Sequence, residues 1–240
     1  MIPNTRPVSL NANQLKLIAV AAMVLDHCAA VLLPPSDFLT LELRFFGRVT
    51  APLMCYCIAE GYYHTTCLRN YLGRLLAMAV LAHVPYALCF GKPVLAFWQS
   101  TDVGFSLLLG LAALAILDSD AVPLWGKCLG FLLCCLLAVP ADWNYIAVLW
   151  IVVFGLLRKD KARQVLAFCL IAGFYLIQPL LDGMAVSASR LGVFLALPLL
   201  SLYDGTRGKK SRWIQYGFYW FYPVHLLILY GVRQLSETGI

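Results

Sequence analysis

Nine long apolar runs, parted by short segments that hold most of the lysines and arginines, constrain this sequence more than any other feature. They lie near 14–34, 45–64, 71–90, 103–117, 121–139, 144–157, 165–181, 184–203 and 213–233. Lipid cannot hydrogen-bond a backbone, whereas a helix satisfies its own, so a run of about 20 apolar residues reads as a spanning helix. Of the 240 residues, 62% are hydrophobic and 12% charged. A soluble domain is about half apolar and a quarter charged, and no water-facing fold of this length hides so much apolar surface. The expected fold class is therefore all-α: a polytopic transmembrane helix bundle of about nine spans (eight to ten), forming a single integral domain over 1–240 in the inner or plasma membrane.

Positive charge in the connections sets the orientation. With the N-terminus inside, the inner segments hold 13 of the 18 lysines and arginines, including Arg69, Arg74, the group at 158–163 and the group at 207–212. The outer segments hold Arg44, Lys92, Arg190 and Arg233, and Arg48 lies within the second run. This distribution explains the formal charge of +6 without nucleic acid. The run LIAVAAMVL has the look of a secretory signal, but Asp26 and His27 interrupt it and a retained span is expected. The nine cysteines, with no C-x-x-C spacing, read as small buried apolar residues, and no metal site is expected from them.

Titratable groups in a bilayer cost at least about 2.5–3.5 kcal/mol each, so they face the bundle interior and are functional candidates. His27, His83 and His225 each lie 13 positions beyond Gln14, Asn70 and Arg212, near the inner starts of their runs. At a rise of about 1.5 Å per residue, all three imidazoles reach a common depth roughly 20 Å up the core. Arg48 enters from the other side to a similar level. Asp26 points about 100° away from His27 around its helix, so its partner is Arg48 or a histidine of another span. A neutral imidazole is a suitable general base. Taken singly, each histidine is as readily a helix-to-helix hydrogen bonder.

The segments MVLDH at 23–27, FFGRVTAPLM at 45–54, AEGYYHT at 59–65, RNYLGRLL at 69–76, DWNYIAVL at 142–149 and FYPVHLLIL at 221–229 together resemble the TraX family. That family of membrane acetylases is named for the enzyme that acetylates the N-terminus of conjugative F-pilin, and is similar to the wider transmembrane acyltransferases. The resemblance implies an acetyl-CoA-dependent acyltransferase that moves an acetyl group from the cytoplasm to an acceptor at the outer membrane face. It implies His27 as the general base, with Asp26 setting its electrostatics and tautomer. Arg48 would stabilise the oxyanion or anchor the cofactor, and His225 and Tyr222 would line the same chamber. Glu60, His64, Arg69 and Arg74 would lie at the inner mouth and help to bind the cofactor, the arginines suiting the CoA phosphates. Peptide, sugar and lipid acceptors all remain open. The same residues also suit a proton-coupled transporter, a histidine-ligated metal or haem protein, and a purely structural assembly subunit.

Overall fold

A computed structural model describes residues 9–181, 183, 187–209 and 211–238, and among them helices are the only extended regular elements. In chain order they are α1 (Ala12–Leu32), α2 (Phe38–Gly47), α3 (Thr50–His64), α4 (Leu68–Phe90), α5 (Val103–Asp118), α6 (Leu124–Leu137), α7 (Asn144–Leu156) and α8 (Lys161–Leu181). A 3-10 segment (Ala188–Leu195), α9 (Ala196–Ser201) and α10 (Arg212–Thr238) follow. By length and composition α1, α4 and α8 can each cross a membrane; α5, α6 and α7 are apolar but shorter. α8 turns Leu166, Leu170, Phe174 and Ile177 outward, and α6 does the same with Leu129, Leu132, Leu133 and Leu136. Continuous apolar stripes of this kind are rare on water-soluble proteins and suit a lipid boundary.

The core centres on α7, whose Trp150, Ile151, Ile146 and Val148 are fully buried between α3, α5 and α8. Glycines let these helices approach closely. A methyl group at Gly155 would press on Leu114 of α5, and one at Gly110 on Ile151. α10 lies against α4 and α1, which brings the last histidine toward the first.

Two expectations are corrected. The run at 45–64 is not one helix: α2 ends at Gly47, and Arg48 and Val49 form a turn before α3. Pro52, in the first turn of α3, has no N–H to continue the ladder backward. The run at 184–203 begins at residues outside those described, and its described part is the 3-10 segment and α9. There Gly192 packs so tightly on the Phe45 carbonyl that no side chain fits. A contact with a segment so distant in sequence leaves no mark on local hydropathy. Of the cysteines, Cys67 and Cys128 are exposed, unlike the buried Cys55, Cys57, Cys89 and Cys134.

Candidate functional site

Two cavities lie along the bundle. The larger, about 420 Å³, opens where α1 and α4 begin and α3 ends. That volume falls within the usual range for a small-molecule site. Its rim is built by stitching the 202–209 loop to the start of α1. Leu10 N–H donates to Leu202 O at 2.8 Å, Ala12 N–H to Thr206 O at 2.8 Å, and Asn13 Nδ2 to Lys209 O at 2.9 Å. Gly208, at φ +79°, sits so close to Asn11 that a Cβ would touch its side-chain oxygen. The loop thereby brings Arg207 and Lys209 to the same cavity as Lys16, His64 and Arg74. The Nε of Arg74 is buried without a partner. Glu60 also lines this cavity and is held by His64 (3.6 Å) and the Tyr203 hydroxyl (3.4 Å). Arg69, expected at the same mouth, is exposed and is not among the lining residues.

The smaller cavity, about 60 Å³, lies deeper and is lined by Asp26, His27, Asp142, Thr50 and Tyr222. His27 Nδ1 lies 2.8 Å from His225 Nε2, with the ring planes 5° apart. The ring centroids, 5.1 Å apart, exceed that nitrogen separation by about two ring radii. The rings therefore meet edge to edge in one plane, the geometry of a hydrogen bond. His225 Nδ1 is 3.0 Å from the Phe221 carbonyl, which can only accept, so Nδ1 carries the proton. A neutral His225 then accepts at Nε2, His27 donates from Nδ1, and the unprotonated nitrogen of His27 is Nε2. A backbone carbonyl of α10 thus fixes the tautomer of a histidine in α1.

Asp26 stands beside this pair, its Oδ1 at 3.7 Å from Arg44 Nε and 3.9 Å from Arg48 Nε. The Arg48 guanidinium also lies over the Trp143 ring, 5.6 Å from its centroid. α2 reaches Asp26 only because residue 47 is glycine: a Cβ there would overlap the Asp26 Cβ. The Asp26–Arg48 pairing was one of the two options open in the sequence; Arg44, counted there only as an outer charge, joins it. Arg48 lines neither cavity, which sets it behind Asp26 and away from the basic mouth.

His83, expected at one depth with the other two histidines, does not meet them. Its Nε2 is bonded to Val94 O at 2.9 Å and its ring stacks on Phe97, so it pins the 91–100 loop instead of joining the pair. Equal depth fixes height along a helix but not the direction in which a side chain points. Asp142 was quoted only within a motif and given no role. Its loop is pinned by a bridge in which Asp142 N–H donates to Thr101 O at 3.0 Å, and Asp142, an exposed residue, lines the smaller cavity. Asp-Trp between two apolar runs was the available signal. Among the described residues no three His, Cys, Asp or Glu side chains gather as a metal cluster.

Comparison with known proteins matches residues 11–233 to the family described as TraX protein. The chain is also 33% identical to "Probable fimbrial assembly protein FimC, serogroup H1" of Dichelobacter nodosus, over 97% of this chain and 100% of that protein. No solved structure matches. With the match running through Asp26, His27 and His225 and across nearly the whole length, this chain is a member of the TraX family.

Proposed function

We propose that this protein is a multi-pass inner-membrane acyltransferase that passes an acetyl group from cytoplasmic acetyl-CoA to an amine or hydroxyl at the outer side. The observation that carries this reading is the histidine pair, whose free His27 Nε2 belongs to a ring lining a cavity one partition away from a basic one. The basic cavity suits a polyanionic donor head. Arg74, Arg207, Lys209 and Lys16 supply cations for its phosphates. A cytoplasmic position for this mouth follows from the N-terminus lying inside.

In the reaction His27 Nε2 takes the proton from the acceptor as its nitrogen or oxygen attacks the thioester carbon. The C–S bond then breaks and the departing thiolate takes that proton back from the imidazolium. Nδ1–H of His27 stays bonded to His225 throughout, which holds the ring and disperses its transient charge. Tyr222 also lines the chamber, where its hydroxyl can donate to the developing oxyanion. Asp26, fixed by Arg44 and Arg48, supplies negative charge beside the imidazolium. The name of the Dichelobacter relative makes a fimbrial subunit the acceptor to try first.

The test uses inside-out vesicles holding the full chain, supplied with labelled acetyl-CoA. CoA release and membrane-retained label are expected for the wild type and loss of both for His27→Ala at equal folded protein. Unchanged release in His27→Ala would refute the proposal, as would uptake of a solute driven by a proton gradient with no thioester cleavage.

A further inference from the structure

Four side chains face both cavities at once: Met54 of α3, Met78 of α4, Leu107 of α5 and Phe218 of α10. One residue from each of four helices therefore forms the partition between the basic mouth and the histidine chamber. Met78 and Leu107 are buried, at 8% and 3% exposure, so this partition is packed rather than open. We propose that these four residues form a gate that admits a thioester arm and limits the acyl group it carries to a very short chain. The inference rests on the acyltransferase reading and adds the residues that set donor selectivity.

The materials of the partition suit a gate. Methionine is unbranched and turns about three side-chain bonds, so Met54 and Met78 can swing aside without moving their helices. The chamber beyond has walls of a different kind. Gly47, Ala19, Ala51 and Ala147 line it with backbone and Cβ that cannot swing away, and Met23 is the flexible side chain among its walls beyond the gate. A cavity of about 150 Å³ takes up a benzene-sized molecule. By that measure, a chamber of about 60 Å³ holds roughly two or three heavy atoms. A methyl and a carbonyl fit. A longer chain has to press on those walls or hold its carbonyl back on the far side of the gate, out of reach of His27.

A pocket that cannot yield discriminates by about 10- to 200-fold for each added methylene. The experiment measures CoA release from acetyl-, propionyl-, butyryl- and octanoyl-CoA by the purified full chain with an amine-bearing peptide supplied as acceptor, together with calorimetric binding of CoA itself. For the wild type, kcat/KM is expected to fall by about 100-fold or more from acetyl to butyryl. Met54→Ala and Met78→Ala are expected to narrow that ratio at least tenfold at equal folded protein. Leu107→Trp is expected to abolish turnover and to weaken CoA binding without abolishing it. Equal use of acetyl- and octanoyl-CoA by a wild type that still depends on His27 would overturn the gate and spare the transferase. An unchanged chain-length ratio in both methionine variants would do the same. Consumption of no acyl-CoA by the wild type would overturn both.

Discussion

His27 and His225, 198 positions apart in sequence, share one hydrogen bond of 2.8 Å, and a carbonyl four residues before His225 decides which way its proton points. If that acceptor is what turns His27 Nε2 into a base, then His225 matters for its lone pair and not for its charge. His225→Gln sets an amide oxygen near the position of Nε2, and His225→Phe removes the acceptor while keeping the ring. The glutamine variant is expected to keep most activity and the phenylalanine variant to lose about 10²-fold or more, the scale of a general base. The rate–pH profiles distinguish this from simple packing. Only the phenylalanine variant should shift the apparent pKa of the rate, and equal losses with unshifted profiles would reduce His225 to a spacer.

Gly47 is the point where backbone shape meets the site. Overpacking in a tight interior costs about 1–3 kcal/mol, and Gly47→Ala drives a methyl group into Asp26. The variant is expected to melt lower in detergent and to lose activity by displacing Asp26 from the two arginines. Gly73→Ala is the control, because a Cβ there meets nothing within 4 Å and α4 gains a better helix former. That change is expected to be neutral or to stabilise by up to about 1 kcal/mol. Matching melting curves for the two variants would remove the special role of residue 47.

The Asp26 carboxylate faces two guanidiniums, and the Nε of Arg48 is buried without a hydrogen bond. Removing one partner of a buried pair costs about 3–5 kcal/mol, whereas replacing both with apolar side chains is often neutral. Asp26→Leu alone is therefore expected to destabilise strongly. The double change Asp26→Leu with Arg48→Met is expected to recover much of the stability and none of the turnover. Denaturant or thermal unfolding of the wild type, Asp26→Leu, Arg48→Met and the double variant measures the coupling. Additive effects of the two substitutions would mean that the pair is not an energetic unit.

The helical, membrane-spanning character was legible because hydropathy is local: each residue of α1, α4 or α8 reports its own preference for lipid. The histidine pair was legible in part, since spacing along a helix fixes depth, and depth brought His27 and His225 to one level. It said nothing of azimuth, so His83 was grouped with them although α4 directs it to the loop at Val94. The break at Arg48 escaped for a different reason. The closeness of Gly47 to Asp26 and of Gly192 to Phe45 is a fact about three segments packed together, and no single window of sequence contains it. The basic rim illustrates the same limit. Arg207 and Lys209 carry the ordinary positive-inside signal, and only the hydrogen bonds from their loop to α1 make them part of a cavity.

Asp102 gives the fold a dependence on pH that a single substitution can expose. It caps α5 from the loop before that helix, with Oδ1 accepting from Gly104 N–H at 2.7 Å, while Oδ2 is buried without a partner. Burial, reinforced by the Asp142 carboxylate, pushes its carboxyl up from 3.8 to about 7, against the lowering effect of the N–H bonds. A carboxyl that holds its proton more tightly when folded favours the folded state while protonated. That contribution is complete below about pH 4, declines as the pH rises from there to about 7, and is gone above it. Asp102→Asn keeps an oxygen for Gly104 and cannot ionise. Its melting temperature relative to wild type is expected to rise between pH 5 and pH 7 and to level off above, and a difference that stays flat from pH 5 to pH 7 would show that Asp102 is ionised in the fold throughout.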